Sequence, residues 1–533
     1  MNSLLLALLA LPATPQDWHA AELPSLCVEL VPAPSFPPLE DGRHVILDGR
    51  ERKASPERVP ALPASQVRQM LEAEARRQGR ALTFYPSAPP LLVHGSADDR
   101  AWLNAALSEL HQAGERTQVE VAAWLRPVRG ASPTGDNLPP PDEAPAGSKA
   151  WHGRLPSGAQ VAFGRRVREH FLASFEVEVA SEEGVAVPQI GQIVAGHTLH
   201  LRAARVDAGR SIHLTGVLDL ARVRGLEEFD PGTPDLGSVQ QPLVDVVQVH
   251  FSGVVHSGGF LTVSVSGTPL DQPDWTLWVQ AATEPDPDEP PDSGWRMTDL
   301  ALLAAAPRRL PTWRPHTGPS GRSLPFLTAA ALPALENPAV PVSPAGLGSL
   351  TGETGRRNPR GVLPSYWTQR LLLVHPEDSE RWARTRDLCR TMESARLYTA
   401  RMELTAGNLQ VSLPVAVGVP ARVLVGRERT FLVGYEAELA PDISMPSPIV
   451  ERWFEGLAWQ GMLSSRQLQA EVRTTHTESV EIAQRSATVL GDLQLPRRSV
   501  RAADLGVTPD GQARVALEAD AGSPAVTLRL VAP

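Results

Sequence analysis

Four glutamates set in alternation carry the sequence's best chance of chemistry. Glu176 and Glu178 in FLASFEVEV (171–179), and Glu436 and Glu438 in FLVGYEAEL (431–439), stand two residues apart. On a strand each pair points to one face, as paired carboxylates for general acid/base work must. The alternate positions are apolar: Phe175, Val177 and Val179 in one stretch, Tyr435, Ala437 and Leu439 in the other. A strand with one wet face explains the glutamates without a substrate, so no catalytic residue is assigned and the protein is read as non-enzymatic. His197 and His200 are the nearest approach to a metal pair. They fall in a segment that reads as a strand, where an offset of three puts them on opposite faces, so they are expected as surface or edge histidines. No His-Glu-x-x-His and no Cys-x-x-Cys occurs, and neither a metal nor a cofactor is implied.

GPSGRS (318–323) departs from the Gly-x-Ser-x-Gly elbow, and GLGSLTGETG (346–355) lacks the Gly-Lys-Ser/Thr of a phosphate loop. Both lie in proline-rich surroundings and read as spacer. Trp275 and Trp278 are three apart and so form no sugar-binding platform on a strand. Trp453 and Phe454, in a turn-like position before Gly456, are expected in core or hairpin packing.

The elements that position these residues come in two copies. Phe431 follows Phe171 at a spacing of 431 − 171 = 260, and the same spacing relates Pro188 to Pro448 and Gly196 to Gly456. Further on, LGVTPDGQARVALE (505–518) lies over SGVVHSGGFLTVSV (252–265), with the offset falling to 253 before the turn and 252 after it. Upstream, LLLVHPEDSERW from Leu371 echoes LLVHGSADDRAW (91–102), and LYTARMELT echoes TQVEVAAWL.

With 533 residues the chain is too long for one core, and 51 prolines and 41 glycines predict long irregular connections. A net charge of −10 with no basic stripe excludes nucleic acid as a partner. Lys53 and Lys149 are the only lysines, so almost all the positive charge is arginine. Leu4 to Leu11 is an apolar run of the length of a secretory signal, and export is expected; no later stretch reaches the ~18 apolar residues of a spanning helix. Cys27 and Cys389 are too few for a disulfide scaffold and are expected as buried thiols.

The expected fold class is α+β: a small βαββα sandwich followed by a mainly antiparallel β-module, the unit repeated with its second copy truncated, joined by Pro/Gly-rich linkers. The order is a signal at 1–13, a proline-rich segment at 14–40 that wraps or dangles, and the βαββα unit at 41–126. That unit takes strand HVILDG (43–48), helices at 65–78 and 97–112, and TQVEVAAWL as its closing strand. A linker at 127–150 leads to β-module 1 at 151–282, a second linker at 283–364, a partial α/β unit at 365–405 and β-module 2 at 406–533. Only Leu300 to Ala305 reads as ordered within the second linker.

An α/β unit reading Leu-Leu-Val-x-Gly-Ser before an amphipathic helix, then FEVEV, VPQIG and the HSGG or PDGQ hairpin, resembles the secretin family of outer-membrane secretion channels. The resemblance implies periplasmic ring domains ahead of a β-rich secretin domain. The family's Val-Pro-x-x-Gly-Asp-Ile-Pro signature is absent and charges interrupt most strands, so the fold is read as secretin-like and no pore is read from it. The implied role is that of an exported envelope component acting through protein partners, a homo-oligomer among them, with membrane association at most peripheral. The alternative is a soluble periplasmic protein that binds polysaccharide or another protein.

Overall fold

In the described segments from residue 118 to residue 531 alternating apolar residues recur, and there they build antiparallel sheet. The computed structural model describes residues 18–21, 29–30, 59–60, 64–85, 91–128, 149–158, 160–180, 183–230, 238–268, 274–285, 296–299, 366–367, 371–374, 393, 397–440, 443–464, 467–483, 492–508, 510–515 and 525–531.

The first elements are β1 (Trp18–Ala21), β2 (Glu29–Leu30), β3 (Val59–Pro60), α1 (Ala64–Arg77), β4 (Thr83–Tyr85), β5 (Leu91–His94) and α2 (Ala97–Arg116). α1 buries Leu71 and Ala75, and α2 buries Leu103, Ala106, Leu107 and Leu110, the faces that helical periodicity gives. Ser96 and Asp99 start α2 as a reciprocal cap. The Asp99 amide donates to Ser96 Oγ at 3.1 Å, and Ser96 donates to Asp99 Oδ2 through its hydroxyl at 2.7 Å and its amide at 3.3 Å. The Ser96 hydroxyl in particular holds the Asp99 carboxyl below the usual range.

β5 is the middle strand of a three-stranded antiparallel sheet, β1-β5-β4. Two placements differ from expectation. Trp18–Ala21, within the segment read as wrapping or dangling, pairs with Leu91–His94. Gln118–Val128, read as closing the small α/β unit, joins a large sheet instead, because Val119, Val121, Ala123 and Leu125 are needed in the main core, where none exceeds 1% exposure. HVILDG, Leu4–Leu11, Cys27, Leu300–Ala305, both glycine-rich stretches and Cys389 lie outside the described residues.

The next strands are β6 (Gln118–Val128), β7 (Lys149–Pro156), β8 (Gln160–Ala180), β9 (Glu183–Val206), β10 (Ser211–Phe229), β11 (Val239–His256), β12 (Phe260–Ser266) and β13 (Asp274–Ala282). β14 (Arg296–Asp299), β15 (Tyr366–Trp367) and β16 (Leu371–Val374) form a second small sheet, β14-β16-β15. The chain ends with β17 (Thr399–Ala406), β18 (Leu409–Ala416), β19 (Pro420–Ala440), β20 (Ile443–Leu463), β21 (Leu468–Ala483), β22 (Leu493–Val507), β23 (Gln512–Val515) and β24 (Val526–Val531).

Sixteen of these strands form two eight-stranded antiparallel sheets, ordered β22-β21-β20-β19-β11-β10-β9-β8 and β23-β24-β17-β18-β12-β13-β6-β7. One hydrophobic core lies between them, with Leu199, Leu214, Val247, Val423, Trp459 and Val472 from the first sheet against Val121, Leu277, Met402 and Leu528 from the second. The set β6–β13 and the set β17–β24 each supply four adjacent strands to each sheet. Their irregularities match as well. β8–β9 bulges between Leu172 and Ser174 and β19–β20 between Leu432 and Gly434 (432 − 172 = 260); β10–β11 bulges between Val223 and Gly225 and β21–β22 between Thr477 and Ser479 (477 − 223 = 254). The ladder therefore sets β22 against β11 at 254, one residue from the 253 read along the sequence. A one-residue slip exchanges the faces of a strand, and only 254 lays buried Leu505 over buried Phe251.

Candidate functional site

The two strand sets meet edge to edge, where β11 pairs with β19 from Val244↔Glu428 to His250↔Arg422. Val247 and Val249 face Val425 and Val423 on the core side. Asp245 is fully buried at this seam, with Arg427 Nε at 3.0 Å and Arg224 Nε at 3.6 Å. Arg429 reaches Glu227 across the junction at 3.8 Å and Glu455 of its own strand set at 3.9 Å.

The face of this sheet turned away from the core is polar at the same level. Gln248 Nε2 donates to Asp219 Oδ1 at 2.6 Å, and Gln248 Oε1 lies 3.1 Å from His250 Nε2. Arg422, beside His250, is 5% exposed; burial brings its guanidinium down to about 9 against the opposing pull of Asp219. Beyond it, Gln460 Nε2 and Arg473 Nη2 both donate to Glu471, each at 2.9 Å. Burial first, and then the Glu471 charge, raise the Asp504 carboxyl.

Two long hairpins leave the sheet and fold over it. β9 pairs with β10 only as far as Gly196↔Ala221, while β8 and β9 stay paired to Ala180↔Glu183. Gly196 has φ 121° and its counterpart Gly456 φ 146°, values an L side chain avoids. Past this bend, Phe171 and Ile193 of the β8–β9 ribbon pack on Ala221, Val244 and Val246, the residues of β10 and β11 that face away from the core. The Leu172 amide donates to Gln240 Oε1 at 2.9 Å, and the Leu432 amide of the second ribbon donates to Gln494 Oε1, also at 2.9 Å. Phe431 is 1% exposed and meets Trp453 edge-on, with ring centroids 5.6 Å apart. Val187 and Ile190 on one ribbon and Ile449 on the other are exposed, Ile190 at 63%; Leu226, Ile482 and Leu495 are exposed on the neighbouring strands.

The structure places the sequence-derived candidates as follows. Glu176 and Glu178 lie on β8 and Glu436 and Glu438 on β19, both strands as expected. His197 and His200 are buried, at 8% and 3% exposure, and not at a surface or edge. β9 runs within the sheet at this point, between β8 and β10, and Trp151 covers His197 with centroids 5.6 Å apart. Trp453 and Phe454 lie inside β20 rather than in a turn, and Phe454 is buried in a small cluster with Leu424 and Ala458. Trp278 is buried and pairs with Trp124 across β13 and β6. Among the described residues no three His, Cys, Asp or Glu side chains gather as metal ligands, and no helix is long and apolar enough to cross a membrane. Sequence reasoning missed Asp245, Arg224 and Arg427. Arg427 lies 182 positions from Asp245, so only the seam register could have joined them.

No protein-family model and no curated protein matches the sequence. Among solved structures, the AspS–GspD pilotin–secretin complex of ETEC matches at TM-score 0.20 and 10% identity, over 42% of this chain and 61% of that one. The Salmonella SPI-1 type III secretion injectisome secretin InvG matches at TM-score 0.19 and 11% identity, over 42% and 80%. The V. cholerae type IV competence pilus secretin PilQ matches at TM-score 0.20 and 10% identity, over 38% and 70%. The chain thus spans 61% of the length of the first of these. At such TM-scores the likeness transfers no activity.

Proposed function

We propose that this protein is a non-enzymatic, secretin-like structural component of a bacterial cell envelope, made by internal duplication of one strand set and acting through protein–protein contacts. The observation that carries the reading is the β11–β19 seam. Two strand sets with matching order and matching bulges join there into one continuous pair of sheets, which is how a wall of strands is extended module by module. The exposed apolar residues of the ribbons, Ile190 and Ile449 among them, offer contact area for a protein partner. Export is supported by the apolar run Leu4–Leu11.

Fractionation of cells expressing the protein with its own N-terminus, followed by cross-linking in the envelope fraction, tests this. The expected result is recovery with the envelope and capture of envelope proteins through residues placed at 190 or 449. Recovery only in the soluble fraction, with a polysaccharide or soluble protein bound instead, would replace the structural role with that of a soluble periplasmic binder.

A further inference from the structure

Among the described residues one sheet ends at β8 and β22 and the other at β7 and β23, and the seam gives the register in which a second copy would join them. β8 stands to the second set as β19 does at an offset of 260, and β22 stands to the first set as β11 does at 254. Carrying the seam pairs across sets Arg498 of one copy opposite Arg168 of the next, Val500 opposite Arg166, Arg501 opposite Arg165, Ala503 opposite Phe163 and Asp504 opposite Ala162.

We infer that these edges are built against that addition, so that the two-set chain is a self-limiting unit whose β8 and β22 edges reject a second copy in the seam register. This rests on the proposed structural role and narrows its partners to other chains at these edges. Three features carry it. Arg501 opposite Arg165 repeats the seam pair Val247↔Val425, whose side chains sit in the core, so joining two copies would turn two guanidinium groups toward the apolar layer. Arg498 opposite Arg168 repeats Val244↔Glu428, and like charges directly opposite oppose pairing. The attractive contact of the seam also has no counterpart: Ser499 and Val167 occupy the positions of Asp245 and Arg427, while Glu481 and Glu169 occupy those of Glu227 and Arg429.

The first set's open end is also plugged. Trp151 of β7 and Phe163 of β8 take the positions that Val411 and Val423 hold at the seam. Their rings stack at 6.3 Å between centroids and pack, partly buried, against the main core. Terminal repeats of an array end in this way, with bulk and charge where internal repeats present a mating surface.

The test is charge reversal on one edge of the full chain. Arg165→Glu with Arg168→Glu leaves Arg498 and Arg501 facing glutamates in the seam register. Light scattering is expected to give the single-chain mass for the natural sequence. For the double variant it is expected to give concentration-dependent head-to-tail species, with association tightened roughly tenfold or more. If that variant fails to fold, Arg498→Glu with Arg501→Glu makes the same test from the other edge. A Val167→Cys, Ser499→Cys pair, at the positions of Arg427 and Asp245 in the seam, reports the register. Intermolecular disulfides formed in the charge-reversed background alone support the inference, whereas the same disulfides in an otherwise natural chain, or charge-reversed chains that fold and stay single, overturn it. Neither result bears on envelope recovery, so the structural role stands or falls separately.

Discussion

Asp245 is a carboxylate whose position makes sense only after two distant strands have met. It is fully buried, and its partners Arg427 and Arg224 are each about a third exposed or less. Removing it leaves two guanidinium groups at a closed seam without their counter-charge. Asp245→Ala is therefore expected to lower stability by about 2–4 kcal/mol, discounted for the exposure of the arginines, and urea unfolding would show this as a lower midpoint. An unchanged midpoint would show that the pair adds nothing. Tyr435 gives a pH signature at the same scale. Burial, and to a lesser degree Asp492, push its phenol up to about 12 from an ordinary value near 10. Because the folded form holds its proton more tightly, the Tyr435 contribution to stability is complete below the unfolded value and is lost as pH rises through the folded one. The difference in urea midpoint between the natural chain and Tyr435→Phe should be constant up to about pH 10 and change between about 10 and 12. A flat difference across that window would place the phenol in water. Little of this could be read from the sequence. Glutamates in alternation are visible locally, whereas a buried pair 182 positions apart needs the sheet register, and the histidines were misplaced because strand periodicity does not say what covers either face.

At the scale of elements, the sequence showed the repeated glycines but not what they do. Gly196 and Gly456 stand in step, yet only the structure makes them the bends at which the ribbons leave β10 and β21. A Cβ on Gly456 would lie 2.3 Å from the Val425 carbonyl oxygen and 2.5 Å from Gly426 Cα, both backbone, at φ 146°. Gly456→Ala should therefore cost about 1–3 kcal/mol and lower the melting temperature. Gly225→Ala is the matched control, because its Cβ would meet nothing within 4 Å. Equal melting temperatures for the two variants would remove the bend as a constraint. α1 was legible to within a residue at each end and α2 at its start, since a 3.6-residue stripe and a Ser-Asp cap are local signals, whereas α2 runs on to Arg116, past the expected end at 112. The closing strand of the small α/β unit was misassigned for the opposite reason: Val119 to Leu125 alternate identically whichever sheet receives them.

For the whole molecule, the correspondence of the two strand sets was legible as spacing, and the core they share was not. The proline-rich stretch between the two modules left open whether they pack together, and Val247 and Val249 of one set lie against Val425 and Val423 of the other in one continuous core. A chain cut between Pro333 and Ala334 separates the sets without cutting a described strand or helix, leaving β14 in the first fragment and its partner β16 in the second. Each fragment alone would carry an unpaired inner edge, β11 in one and β19 in the other, with valines facing water and a sheet template open to misassembly. Co-expressed, the two fragments should co-purify as a one-to-one complex; expressed singly, each should aggregate or remain poorly ordered by circular dichroism. Asp245→Ala in the first fragment should weaken the complex by roughly tenfold or more, since its charge pair now acts between chains. Two fragments that are each soluble, folded and indifferent to one another would mean that the seam is a consequence of tethering. A complex that forms and weakens with Asp245→Ala would mean that the seam is itself a recognition surface, selecting its own partner edge in the way the arginine-bearing outer edges refuse one.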